Sequence, residues 1–306
     1  MSDSKKQIAK ERKALQNRMD KGRHRIPNRR VDENLLLATW NIQNFGNTKP
    51  KRAIQYIADI CERFDIIALQ EVKTGLHGLK HLISLLPGNY RYLVSDPTGN
   101  SERFVFLYDK RTVVPTGLVC ELGFNVSAKT KVGYQLHRMP YCVSFKAGRF
   151  DFVVVSTHIL YGAGAPGRKE REIEIIKLAK TIAARSKKEH SVVFDRDFFV
   201  VGDFNIEKEG DQFFNALTEN GFYMPRKMKN LKTNFLETKT YDKIAWVERP
   251  SFNFSGKCGA LPLQDIVYQE FGKIDERKKR IGDHLPVWAE FHVNVLSQEL
   301  DSVLAT

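Results

Sequence analysis

Short apolar runs recur along the chain, and many of them close on a cluster of polar residues. Leu35-Leu36-Leu37-Ala38-Thr39-Trp40 is the first, and Ile66-Ile67-Ala68-Leu69, within residues 65–72, is the second. Unbroken runs of this length predict strands buried on both faces. Residues 90–95 and 103–109 read as a pair of strands. Residues 142–145 and 151–157 flank Lys146-Ala147-Gly148-Arg149, a hairpin signal. Further strands are predicted at 198–202, 241–247 and 285–291. Helical spacing marks residues 50–64, with Ile54, Ile57, Ala58 and Cys61 on one face, together with 167–185 and 211–220. Strands and helices alternate, but some neighbouring strands are hairpins. That mixture predicts an α/β (α+β) fold: a four-layer sandwich of two mixed β-sheets flanked by helices.

Length and composition narrow the class. A chain of 306 residues with 42% apolar content builds a sizeable core. No stretch reaches the ~18 apolar residues of a membrane span, and the polar start is no secretory leader, so the expected location is cytoplasmic. The four cysteines are scattered without CxxC spacing and are expected as reduced thiols.

The net charge of +13 invites a polyanionic partner. Residues 1–30 alone carry +8, which leaves the remainder only mildly basic. Residues 1–30 are therefore set apart as a basic N-terminal arm, disordered or helical. It is either a solvated tail or a segment that tracks phosphates. The thin stripe of Ile8, Leu15 and Met19 has helical spacing. Residues 31–306 are expected as one catalytic domain.

The polar clusters carry the chemistry. They are Trp40-Asn41-Ile42-Gln43-Asn44-Phe45, Leu69-Gln70-Glu71-Val72, Ser156-Thr157-His158, Val201-Gly202-Asp203-Phe204-Asn205, Tyr241-Asp242-Lys243-Ile244 and Gly282-Asp283-His284-Leu285-Pro286. Any one of them reads equally well as a turn or a cap. Together they supply carboxylates, carboxamides and two histidines at strand ends. Oxygen-rich donors suit Mg²⁺ or Mn²⁺ rather than zinc. A hard cation, a histidine base oriented by a carboxylate, and neutral hydrogen-bond donors are what phosphodiester hydrolysis requires.

In their order and wording these clusters resemble the endonuclease/exonuclease/phosphatase superfamily, in its deoxyribonuclease-like branch. The resemblance runs from about Leu35 to Phe291. Tyr90-Arg91-Tyr92-Leu93-Val94-Ser95-Asp96-Pro97, Ser101-Glu102-Arg103-Phe104-Val105-Phe106-Leu107-Tyr108 and Arg138-Met139-Pro140 are especially similar to that branch. The resemblance implies Glu71 as the principal metal ligand, with Asn41 and Asp283 on the metal side. It implies Asn41, Arg138 and Asn205 at the phosphate. It makes Asp203, Asn205, His284 oriented by Asp242, and His158 paired with Glu102 the catalytic residues. The expected reaction is Mg²⁺- or Mn²⁺-dependent hydrolysis of the DNA backbone to 5′-phosphate and 3′-hydroxyl ends. Phosphoinositides, sphingomyelin or a nucleotide are the alternative substrates, and a catalytically silent nucleic-acid-binding module is the non-enzymatic alternative. The histidine motif Thr157-His158-Ile159-Leu160-Tyr161-Gly162 lacks the proline that many relatives carry after the His, and the glycine-rich loop from Tyr161 to Gly167 is expected to be flexible.

Overall fold

The buried runs pair with one another. The computed structural model describes residues 2–124, 135–187 and 197–294. His190 and the end of the expected 31–306 domain, beyond residue 294, lie outside the described residues. The strands are β1 (Asn34–Phe45), β2 (Ile66–Lys73), β3 (Tyr90–Val94), β4 (Glu102–Asp109), β5 (Val114–Glu121), β6 (Tyr141–Ala147), β7 (Phe150–His158), β8 (Phe198–Asp203), β9 (Phe222–Tyr223), β10 (Asp242–Val247), β11 (Asn253–Ala260) and β12 (Val287–His292). The helices are α1 (Ser2–Asp20), α2 (Lys51–Cys61), α3 (His77–Leu85), α4 (Gly164–Lys187), α5 (Gln212–Thr218), α6 (Arg226–Lys229) and α7 (Ile274–Ile281).

Among the described residues these form two six-stranded sheets, ordered β11-β12-β1-β2-β4-β3 and β5-β6-β7-β8-β10-β9. Each sheet holds one parallel pair, β1 with β2 and β7 with β8, joined through α2 in one case and α4 in the other. A parallel pair needs such a crossover. The inner faces meet through aromatic residues: Phe106 stacks on Tyr141 at 5.6 Å, and Phe291 meets Phe199 edge-on at 4.8 Å. Trp246 is buried in this layer against Phe291 and packs the core.

The topology brings the polar clusters to one end. Asn41 and Glu71 sit at the C-terminal ends of the parallel pair β1 and β2, and His158 and Asp203 sit at those of β7 and β8. Crevices beyond the C-terminal ends of parallel strands are where open α/β sheets bind ligands. The antiparallel neighbours add their first residues at the same end. Asp242 pairs with Asp203, and Glu102 with Lys73.

The basic N-terminal segment is a folded part of the molecule. Helix α1 lies on α2 and buries Leu15 and Met19 fully, with Ile26 following. Glu11 accepts from Arg52 at 2.6 Å and from the Tyr56 hydroxyl. Arg12 pairs with Asp59 at 2.7 Å, and Arg18 with Asp265 at 2.6 Å. The thin apolar stripe suffices because α2 supplies the facing apolar surface, and part of the segment's positive charge is matched by carboxylates of the body.

Candidate active site

Two irregular stretches aim the first residues. The register of β1 with β2 shifts between Asn41 and Phe45, and that of β2 with β4 shifts between Leu69 and Val72. Bulges of this kind re-aim side chains at the rims of sheets. Gln43, Asn44 and Glu71 all have left-handed backbone, with φ of 42°, 49° and 59°. Such conformations cost energy in non-glycine residues and persist only where neighbours impose them. Here Glu71 is clamped by two donors at 3.0 Å, Asn41 Nδ2 and the Asn44 amide. The carboxamide of Asn41 is fully committed on its nitrogen side, since Nδ2 also donates to Asp203 at 3.2 Å. Its Oδ1 accepts from the Gln43 amide at 3.1 Å.

Lys49 joins this group and was not singled out by the sequence. It is buried, and its Nζ donates to the Gln43 carbonyl at 2.8 Å. Burial pushes its pKa down to about 8, against the opposing pull of Asp283 and Glu71. A lysine in a loop has no periodic or motif signal to mark it as buried.

The second half of the site converges on Asp203. Its Oδ2 lies 3.6 Å from Nε2 of both His158 and His284. Its Oδ1 accepts from the Asn205 amide at 2.9 Å. Burial opposes the Asp203 charge, but the two histidines and the donors from Asn205 and Asn41 hold its pKa below the ordinary carboxylate value. Gly202 makes this packing possible. Its φ is 132°, and a Cβ there would stand 2.0 Å from the Thr157 carbonyl oxygen of the adjoining strand.

His284 Nδ1 is hydrogen-bonded to Asp242 Oδ2 at 2.8 Å, and Trp40 Nε1 donates to the His284 carbonyl at 3.0 Å. Burial disfavours a charge on His284, but Asp242, Asp203 and Asp283 outweigh it and raise its pKa to about 10. Asp242 is shifted upward by its complete burial despite the histidine.

The Glu102–His158 pair is looser. Glu102 Oε2 accepts from Arg138 Nε at 2.9 Å, while His158 Nδ1 stands 3.5 Å from the same oxygen and is buried without a hydrogen-bond partner. Glu102 therefore answers first to Arg138. Burial opposes its charge, but His158 and Arg138 lower its pKa to about 2. The sign is that of a depressed carboxylate: its stabilisation is present above the unfolded value near 4.5 and is lost as pH falls through about 2. Glu102→Gln is expected to remove that part of the acid dependence. Denaturant midpoints compared between pH 7 and pH 2.5 measure it. An unchanged pH slope in the variant would mean that Glu102 is not held this way.

Asn205, with φ of 53°, donates Nδ2 to the Ile159 carbonyl at 2.7 Å. Arg171 secures its backbone. Arg171 is buried on α4, with Nη1 on the Asn205 carbonyl at 2.9 Å and Nε on the Tyr161 carbonyl at 2.6 Å. Its guanidinium stacks between Tyr161 and Phe213 at 4.5 and 4.3 Å. The loop from Tyr161 to Gly167 is accordingly tied down. Gly162 packs on Gly167 so closely that a Cβ would clash at 2.2 Å, and Gly164 already opens α4.

Two groups of side chains have the chemistry to hold a metal ion. Asp203, Asp242 and His284 offer ligand atoms within 4.8 Å of one another. His284 Nδ1 is occupied by Asp242, however, and Asp203 stands 3.6 Å from Nε2. Glu71 and Asp283 are the second: the two carboxylates act on the same buried ammonium of Lys49, and Asn41 holds Glu71 in place through Nδ2. Oxygen-only donors with two charges fit a hard divalent cation.

Residues 38–264 match the family model described as Endonuclease/Exonuclease/phosphatase family. The chain is 35% identical over 280 residues to Deoxyribonuclease-1 of Oryctolagus cuniculus, covering 84% of this chain and 92% of that one. It is 26% identical over 285 residues to a deoxyribonuclease of Thioalkalivibrio sp. (strain K90mix), covering 89% of this chain and 74% of that one. Truncated Caenorhabditis elegans TDP2 shares the fold, with a TM-score of 0.60 at 15% identity, covering 85% of this chain and 97% of that one. No helix of the described residues is long and apolar enough to cross a membrane.

Proposed function

This chain belongs to the endonuclease/exonuclease/phosphatase family, and from that premise we propose that it is a Mg²⁺- or Mn²⁺-dependent endonuclease that hydrolyses DNA to 5′-phosphate and 3′-hydroxyl ends. One observation carries the reading: two imidazoles face a single carboxylate oxygen, Asp203 Oδ2, each at 3.6 Å. That arrangement supplies a proton acceptor and a proton donor on the two sides of one small site.

His284, oriented by Asp242, takes the proton of the attacking water in its neutral form, which a cation beside Asp283 would favour by offsetting that carboxylate's pull, and His158 delivers one to the leaving oxygen. Asn205 keeps one Nδ2 hydrogen after its bond to Ile159 and donates it to a phosphoryl oxygen. The Nη groups of Arg138 bind the phosphate while Nε stays on Glu102. Asn41 has turned its amide hydrogens to Glu71 and Asp203 and its Oδ1 to the Gln43 amide, so of its two expected roles the metal-side one fits as a clamp on Glu71. Glu71 and Asp283 would hold the cation, which would offset negative charge on the phosphate.

The test compares supercoiled plasmid, linear DNA, RNA and inositol phosphates with the purified protein in Mg²⁺, Mn²⁺ or excess EDTA. Plasmid nicking that needs a metal, with 3′ ends that a polymerase extends directly, is the expected result. Full activity in excess EDTA, or faster release of phosphate from inositol phosphates than cutting of DNA, would discard the proposal.

A further inference from the structure

A groove with a volume of about 820 Å³ lies where α6 and residues 230–232 face β11 and β12 at the edge of the first sheet. Its rim carries Arg23, Arg226, Lys227 and Lys232, and its floor is apolar, with Leu231, Pro262 and Trp288 among its lining. The one carboxylate in the lining, Glu237, accepts from Gln264. Arg226, Lys227 and Lys232 are exposed, and none has an ion pair among the described residues. The indole Nε1 of Trp288, in the groove wall, is buried with no hydrogen-bond partner.

Short stretches of chain link the groove to the catalytic residues. Trp288 lies four residues after His284 on the same strand approach. Lys232 precedes Thr233, whose carbonyl accepts from the Leu285 amide at 2.6 Å and whose hydroxyl accepts from the Asp242 amide at 2.9 Å. Lys232 also lines a smaller cleft with Arg168, Lys208 and Lys239, where Glu207 and Asp211 stand among the cations and Glu207 pairs with Lys239. Lys232 thus joins this mixed cleft, two residues on from Asn205 at its nearest, to the cationic rim that ends at Arg23 of the N-terminal segment. A cleft of about 710 Å³ elsewhere on the surface has a different character, since its Arg12, Arg29, Arg63 and Arg111 are all paired with aspartates.

We propose that this groove binds the DNA strand beyond the scissile phosphate, with successive phosphates on Lys232, Lys227, Arg226 and Arg23 and the sugar and base edges against the apolar floor. The inference rests on the functional reading given above and adds the direction in which the substrate leaves the site. Unpaired rim cations attract the backbone regardless of sequence. An apolar floor beneath them accommodates the stacking faces of an unpaired or frayed strand. A small phosphoester would not reach the groove, so the groove distinguishes a polymeric substrate from a compact one.

The N-terminal segment contributes through Arg23 alone in this scheme. Its removal is not the right test, because truncation would uncover Leu15, Met19 and Ile26 in the core. The experiment instead replaces Arg226, Lys227 and Lys232 together with glutamine in the full chain. A control variant replaces Lys13, Lys110 and Lys187, all exposed and outside the groove. DNA affinity is measured from 50 to 300 mM salt for each set in a His284→Ala background, and hydrolysis of bis(4-nitrophenyl) phosphate is measured in the wild-type background. The groove variant is expected to bind at least about tenfold more weakly at low salt, with a salt slope shallower by about three units, roughly one per lost phosphate contact. The small diester should turn over as in wild type. An unchanged slope in a protein that still cuts DNA, or an equal loss in the control variant, would overturn the groove while leaving the function intact. A wild type that hydrolyses the small diester but neither binds nor cuts DNA would remove the substrate reading and the groove together.

Discussion

Asp203→Asn is expected to lower kcat on plasmid DNA by about 10³-fold or more, a larger loss than either histidine substitution produces alone. The carboxylate is the node of the site. It faces Nε2 of His158 and of His284 at 3.6 Å each, accepts from Asn41 at 3.2 Å, and accepts from the Asn205 amide at 2.9 Å. Asparagine has the same shape but only one acceptor oxygen. If that oxygen stays on the Asn205 amide, the new NH₂ faces the Asn41 NH₂ and both imidazoles, so a set of attractions becomes a donor–donor conflict. The charge that balances two histidines is lost as well. His158→Ala and His284→Ala should each lose about 10²-fold, and the double variant should lose less than the product, because both act in one transition state. A substrate with an activated leaving group needs no acid and should rescue His158→Ala but not His284→Ala. Rescue of the other histidine would exchange their roles. An Asp203→Asn protein that keeps more than a tenth of wild-type turnover would remove Asp203 from the chemistry.

Glu71→Gln is expected to lower kcat/KM by about two orders of magnitude or more while the protein stays folded. Glu71 sits in a left-handed backbone conformation at a bulge, clamped by Asn41 and Asn44. That clamp fixes the carboxylate without neutralising it. Glutamine preserves the shape and removes the charge, so the loss should appear first as weaker metal binding. Isothermal titration with Mn²⁺ reads this independently of turnover, and raised metal concentration should recover part of the activity. Unchanged Mn²⁺ affinity in the variant would take Glu71 out of the metal site. Lys49 gives the reading a second edge. Its buried ammonium lies in the field of Glu71 and Asp283, so a bound divalent cation and this charge must share the same carboxylates.

The polar clusters were legible because a buried strand that ends in carboxylates, amides and histidines is chemically unusual, and six such endings in one chain are hard to assign to turns alone. The core strands were legible because β1, β2, β7 and β8 are almost continuously apolar. Other elements left weaker marks. Strand β5 alternates little and is mostly part-exposed, and β11 carries Gly256 and Gly259 in its run, so neither has the period-2 pattern that identifies a strand. Helix α7 is almost entirely polar and buries only Ile281. Arg171 left no mark of its burial, because a charged residue on a helix is ordinarily solvated. Only the stacked rings of Tyr161 and Phe213, with two backbone carbonyls, make a buried guanidinium acceptable there.

The sequence by itself determined the sandwich of mixed sheets and the inventory of reactive groups, since apolar periodicity and residue chemistry are local properties of the chain. It could not decide which groups meet. That Asp203 stands between two histidines, that Glu102 answers to Arg138 before His158, that Lys49 is buried beside Glu71, and that the basic N-terminal segment lies packed on α2 all depend on residues far apart in the chain. Hydrogen bonds and ion pairs act over a few ångströms, and only the closing of two parallel strand pairs at one end of the sandwich brings those residues within that range.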